Sequence, residues 1–154
     1  MLEYTHWPTV GAVLLAALIA SPGCCYPKRE LRLEKTSLPP VFKMSGGSSA
    51  YLFFVRGPYP DIPALRTHTG PKIIWELRVI SQKISPDDLP SIPYGTVPAG
   101  FREEKGPAPA LQTGGYYLAH AQLQDISPAA WGNDKGTKDI CFRVDPTSVV
   151  LVAC

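Results

Sequence analysis

The sequence predicts an all-β fold, an antiparallel sandwich, on three observations. Over residues 72–79, Ile73, Trp75, Leu77 and Val79 alternate with Lys72, Glu76 and Arg78, the period of two of a strand with one buried face. Over residues 116–124, Tyr117, Ala119, Ala121 and Leu123 alternate in the same way with Tyr116, Leu118, His120 and Gln122. The chain also carries 17 prolines and 13 glycines, and beyond its first stretch no window sustains apolar residues at helical spacing. Disorder is the competing reading of so much proline, but the Trp, Tyr and β-branched content argues for a packed domain.

At 154 residues and 45% apolar content the chain suffices for one domain with its own core, and is too short for two. The formal charge of +2 is spread along the chain. Only Lys28, Arg29, Arg32 and Lys35 approach a basic cluster, and beside an apolar leader they read as a solvated, membrane-proximal tether instead of a nucleic-acid arm.

Residues 10–20 are uninterruptedly apolar or small. As a helix they would span about 17 Å against a hydrocarbon core of roughly 30 Å, so they read as an export signal. The small residues that lead into Gly23 and Cys24 resemble the lipobox of bacterial lipoproteins, with Ser21 and Pro22 departing from its usual aliphatic and small residues. That resemblance implies a signal peptide over 1–23 and lipidation of Cys24 as the first mature residue. Plain secretion would cut at the same place. Cys25 follows, where an Asp would resemble an inner-membrane retention signal, so the resemblance implies an outer-membrane anchor facing the periplasm. Either route delivers the chain to an oxidising compartment.

Residues 24–38 then read as a membrane-proximal tether, with a possible edge strand where Leu31 and Leu33 alternate with Arg32 and Glu34. The domain proper is expected over 39–154. Residues 41–44 are short and apolar, 45–49 form a Gly/Ser turn, and 51–55 form an apolar run fit for a buried strand. Residues 57–63 carry three prolines and read as a loop. Prolines also forbid a helix or a central strand over 92–101, leaving an edge or a shaped loop. Residues 103–105 read as a polar connection, and Thr113, Gly114 and Gly115 as a turn into the strand at 116. After Ser127 and Pro128, a loop carries the aromatic anchor Trp131. The C-terminus reads as a hairpin with Phe142 and Val144 on one face and Leu151 and Ala153 on the matching face. Setting Asp145 opposite Val150 leaves 146–149 as the turn and places Cys141 opposite Cys154, within disulfide reach.

The chemistry-bearing residues form no recognisable catalytic set. The sequence lacks a Gly-x-Ser-x-Gly elbow, a His-Glu-x-x-His pair and a Gly-rich phosphate loop. His120 beside Gln122 and Tyr116 reads as a solvated or core-edge histidine, and His68 falls in a loop. The pairs Asp87 with Asp88 and Glu103 with Glu104 point apart on an extended chain. Asn133, Asp134 and Asp139 lack calcium-loop spacing. The cysteines favour a disulfide over zinc. No catalytic residue, metal or cofactor is expected.

Tyr94, Gly95, Val97, Pro98, Gly100 and Phe101, followed by Pro107, Leu111, Gly114 and Tyr117, resemble a segment of small bacterial envelope lipoproteins of uncharacterised function. A Tyr-Gly loop before a Gly-x-Tyr strand is similar to one that recurs in fibronectin-like and immunoglobulin-like sandwiches. The resemblance implies such a sandwich and an envelope location, with no activity attached; by residue chemistry alone, Tyr94 and Phe101 pack a rigid loop onto the sheet. The expected function is therefore a non-enzymatic envelope lipoprotein that presents its sandwich to a protein partner or a cell-wall component, with Tyr94, Phe101 and Trp131 as binding candidates. An immunity or inhibitor protein acting against a toxin shares every one of these features; an envelope enzyme is the third reading.

Overall fold

The computed structural model describes residues 29–47, 49–81, 84–124 and 139–154. Within them the chain forms strands β1 (Glu30–Lys35), β2 (Val41–Ser45), β3 (Ser49–Tyr59), β4 (Ile73–Val79), β5 (Ile92–Pro93), β6 (Phe101–Lys105), β7 (Tyr116–Gln124), β8 (Ile140–Val144) and β9 (Val149–Val152). One short α-helix, α1 (Ile62–Thr67), lies between β3 and β4, and a single 3-10 turn, Pro86–Asp88, lies between β4 and β5. The strands make two antiparallel sheets, ordered β1-β2-β5 and β6-β4-β3-β7-β8-β9.

The alternation expected of β4 and β7 is what builds the core. Trp75, Leu77 and Val79 of β4 and Tyr117, Ala119, Ala121 and Leu123 of β7 are buried, as are Phe53 and Val55 of the intervening β3. The opposing sheet contributes Leu31, Phe42, Met44 and Ile92. Phe42 reaches across to Phe53 and Phe142, with ring centroids 5.3 and 5.8 Å away. Two sheets packed through interleaved aromatic rings make a sandwich. The expected core residues Trp75, Leu77, Tyr117 and Phe142 are all in it.

Opposite β1-β2-β5, the inner strands of the larger sheet run β4-β3-β7-β8, the arrangement of immunoglobulin-type and fibronectin-type sandwiches. A tyrosine corner accompanies it. The Tyr117 hydroxyl, near the start of β7, accepts a hydrogen bond from the Gln112 amide at 2.8 Å. Gly57 makes this corner possible, with φ +146° and so little room that a Cβ there would lie 2.5 Å from the Tyr117 ring.

The structure corrects four local readings. Residues 103–105 belong to β6, an edge strand whose charged side chains stay exposed because, among the described residues, only β4 pairs with it. The expected loop at 57–63 instead continues β3 to Tyr59 and then opens α1. That helix is too short to show a period, but its caps are specific. The Asp61 side chain accepts the Ala64 amide at 2.8 Å, proline occupies its first turn, and His68 closes it in the left-handed region at φ 54°. The third correction is the terminal hairpin, where Val144 pairs with Val149 and Cys141 with Val152, two residues from the expected register. Its turn is Pro146 and Thr147, closed by the Asp145 amide on the Ser148 carbonyl at 2.8 Å. A shift of two preserves which face each side chain occupies. Finally, Leu151 is on the expected face but 59% exposed, on the outermost strand of its sheet.

Candidate functional site on the outer face of the larger sheet

Residues of β3, β4 and β7 that alternate with the core project onto the outer face of the six-stranded sheet. α1 covers part of it. Leu65 of the helix packs with Tyr59, Leu118 and Cys141 in a small second core, flanked by Phe54, Ala64, Tyr116 and Val152. Beyond the helix the face carries rings and guanidinium groups in contact with one another.

Two chains of contacts organise it. In the first, Phe54 and His120 are register partners on β3 and β7, and their rings stack at 4.9 Å and 24°. His120 Nδ1 is 2.5 Å from Asp139 Oδ1, and His68 Nε2, from the end of α1, lies 3.9 Å from Asp139 Oδ2. The Arg56 guanidinium stands 5.7 Å from the Phe54 ring. Next to it, Tyr59 is buried with its hydroxyl beside the Arg56 guanidinium. Burial pushes the Tyr59 hydroxyl above its ordinary range, with the Arg56 charge pulling the other way. In the second chain, Tyr51 sits at a bulge of β3 in its ladder with β7, and its side chain meets Arg78 of β4. The Arg78 guanidinium lies 5.0 Å over the Tyr51 ring, donates to its hydroxyl at 2.9 Å, and donates through Nε to Glu104 at 3.1 Å.

Chemically, the His120–Asp139 contact fixes the orientation of the His120 ring. Among the described residues no hydroxyl or thiol is bonded to His120. Nor is any group of three His, Cys, Asp or Glu arranged to hold a metal ion among those residues. What remains is a half-exposed surface of Tyr, Phe, His and Arg, the composition enriched where proteins contact proteins.

The binding candidates named from the sequence lie elsewhere, and the expected disulfide is formed. Tyr94 and Phe101 are core residues, 7% and 5% exposed. The Tyr94 hydroxyl donates to the Pro109 carbonyl at 2.8 Å and its ring meets Trp75 edge-on at 5.1 Å, so its side chain is committed to packing. Cys24, Cys25 and Trp131 lie outside the described residues. Cys141 and Cys154 form a disulfide with Cα atoms 5.3 Å apart. The convergence of His68 and His120 on Asp139 was not visible along the chain, because it depends on α1 folding over β7 and on β8 pairing beside it. One signal was available: the parity of β7 already put His120 on the face away from the core.

Compared with known proteins, the chain matches no protein family, no curated protein and no solved structure. The likeness to immunoglobulin-type sandwiches is therefore one of strand order and tyrosine corner, and it carries no activity with it.

Proposed function

We propose that the chain is a non-enzymatic binding protein of the bacterial cell envelope, exported by its apolar leader, anchored through lipid on Cys24, and presenting the outer face of its larger sheet to a protein partner. The observation that carries the reading is the run of ring and guanidinium contacts across that face, Arg78 on Tyr51 and Arg56 on Phe54 beside His120. Such side chains offer large contact area at little entropic cost because their neighbours already hold them in place. Tyr51 and Arg78 belong to neither buried core, so truncating them alters recognition more than stability.

Capture from an envelope extract tests this. The wild-type chain is expected to retain a partner that the Tyr51→Ala, Arg78→Ala double variant loses, while the variant melts within a few degrees of wild type. Equal capture by both chains overturns the assignment of the face. The address is tested separately: Cys24→Ala is expected to give uncleaved precursor or soluble protein, and unchanged membrane fractionation and mobility would refute the lipid anchor.

A further inference from the structure

The larger sheet sets two guanidinium groups directly opposite each other. Arg78 of β4 and Arg102 of β6 are register partners, and like charges in that position oppose strand pairing. A single carboxylate holds both. Glu104 Oε1 accepts from Arg78 Nε at 3.1 Å and from Arg102 Nε at 2.6 Å, so two positive charges share one negative charge and one is left over.

Both arginines are also oriented. Each reaches Glu104 through Nε, an anchor that leaves the end-on pair of Nη groups for another acceptor. Arg78 Nη1 donates to the Tyr51 hydroxyl at 2.9 Å while the guanidinium lies 5.0 Å over that ring. Having accepted this bond, the hydroxyl keeps its own proton to donate. The Arg102 side chain is 63% exposed. Leu52 of β3, half-buried, stands beside Arg78 in register, with Gln122 of β7 beyond it. A ring, an aliphatic side chain and an amide thus border the charged donors.

We propose that this is a carboxylate subsite, at which the protein partner of the outer face places one Asp or Glu side chain against the Nη groups of Arg78 and Arg102, with Tyr51 and Leu52 along its carbon stem. The inference rests on the reading of the face as a protein-binding surface and names the group that it recognises. Charge selects the occupant. A carboxylate is the planar acceptor that matches guanidinium donors in pairs, and one of them neutralises the one positive charge left over. Elsewhere the face is balanced, with Glu76 opposite Lys105, and Asp139 and Arg56 offsetting one another across the Phe54 and His120 rings. A polyanion would set its further charges against Glu76 and Asp139, so repeated negative charge is disfavoured.

In the test, the exported chain is immobilised and loaded with envelope extract, and the protein retained is quantified through a salt gradient, with each variant checked for an unchanged melting temperature. Arg102→Gln is expected to cut retention about tenfold, the effect of one lost charge-assisted hydrogen bond. Glu104→Gln keeps an acceptor for both Nε groups and raises the excess charge, so it is expected to increase retention and move elution to higher salt. Lys35→Gln, on β1 of the other sheet, is expected to change neither. Extract whose carboxyl groups are amidated with carbodiimide and glycinamide should lose retention, while lysine-acetylated and phosphatase-treated extracts should keep it. Retention that depends on Tyr51 and Arg78 but is indifferent to Arg102→Gln, or that falls alike with Arg102→Gln and Glu104→Gln, overturns the carboxylate subsite and leaves the binding face standing. Loss on phosphatase treatment overturns it in favour of a phosphorylated partner. No retention by the wild-type chain overturns the subsite and the face together.

Discussion

The Tyr117 hydroxyl accepts the Gln112 amide at 2.8 Å, tying the start of a central strand to the loop that delivers it. The same ring stacks on Phe142 at 5.6 Å and 18°. One side chain thus fixes the loop before β7 and the packing of β8. Tyr117→Phe keeps the stack and removes the acceptor, leaving the Gln112 amide to find water. The expected loss is about 1–2 kcal/mol, the usual cost of a partly buried bond removed from one side. Urea unfolding measures it, and a loss below about 0.5 kcal/mol would show that the corner is ornamental to stability.

Burial raises the pKa of three tyrosines, Tyr59, Tyr94 and Tyr117, and raises Tyr94 the most. A phenol whose folded pKa exceeds its unfolded value binds its proton more tightly in the native state. Its contribution to stability is complete below the unfolded value of about 10 and is lost as pH rises from there through the folded pKa. Stability is therefore expected to fall steeply above about pH 10. Lysines titrate in the same region, so the diagnostic is the comparison with Tyr94→Phe, which removes the hydroxyl bonded to Pro109. That variant should start less stable and decline less steeply; identical slopes between pH 9.5 and 11 would mean that Tyr94 ionises without unfolding.

Gly57→Ala is expected to be among the most damaging small substitutions in the chain. The backbone there has φ +146°, which disfavours any Cβ, and the new methyl would lie 2.5 Å from Tyr117 Cδ1 and 2.9 Å from the Tyr116 carbonyl oxygen. Both neighbours belong to a central strand and cannot retreat. Strain and overpacking together should cost on the order of 3 kcal/mol. Gly114→Ala is the control, with φ +82° but open space around it, and should cost about 1–2 kcal/mol from the backbone alone. Equal losses in the two variants would remove the steric part of the argument.

The sandwich was legible because Trp75, Leu77, Tyr117 and Phe142 sit in strands whose period of two is uninterrupted, and parity is set within one strand. Register is a property of two strands and a turn. Pro146 and Thr147 close a tighter turn than the four residues expected, so the hairpin moved by two while every face stayed where parity had put it. α1 escaped because six residues hold too little periodicity, although Asp61 ahead of Pro63 marked its start. The site was the least legible part. Tyr94 and Phe101 stood out as aromatic residues in a loop, and the core claimed both; Arg78 and Tyr51 meet across two strands, with Tyr51 at a bulge of β3 in its ladder with β7.

The disulfide shows what a two-residue shift can conserve. In the observed register Cys141 pairs with Val152, so Cys154 reaches it diagonally, with Cα atoms 5.3 Å apart. Cys141 is buried and Cys154 exposed, so reductant attacks from the β9 side. The link spans a sequence separation of 13, and closing such a loop stabilises by about 3 kcal/mol in the chain-entropy account. Cys154→Ser is expected to lose that amount and to free the last residues of β9. Its effect should be largest on hydrogen exchange at Val150 and Val152, and small at Phe142, which β7 holds from the other side. Non-reducing peptide mapping of the exported protein checks the pairing directly. If the 141–154 link is absent from the map, or if reduction leaves the melting temperature unchanged, the C-terminal strand is held by its ladder alone.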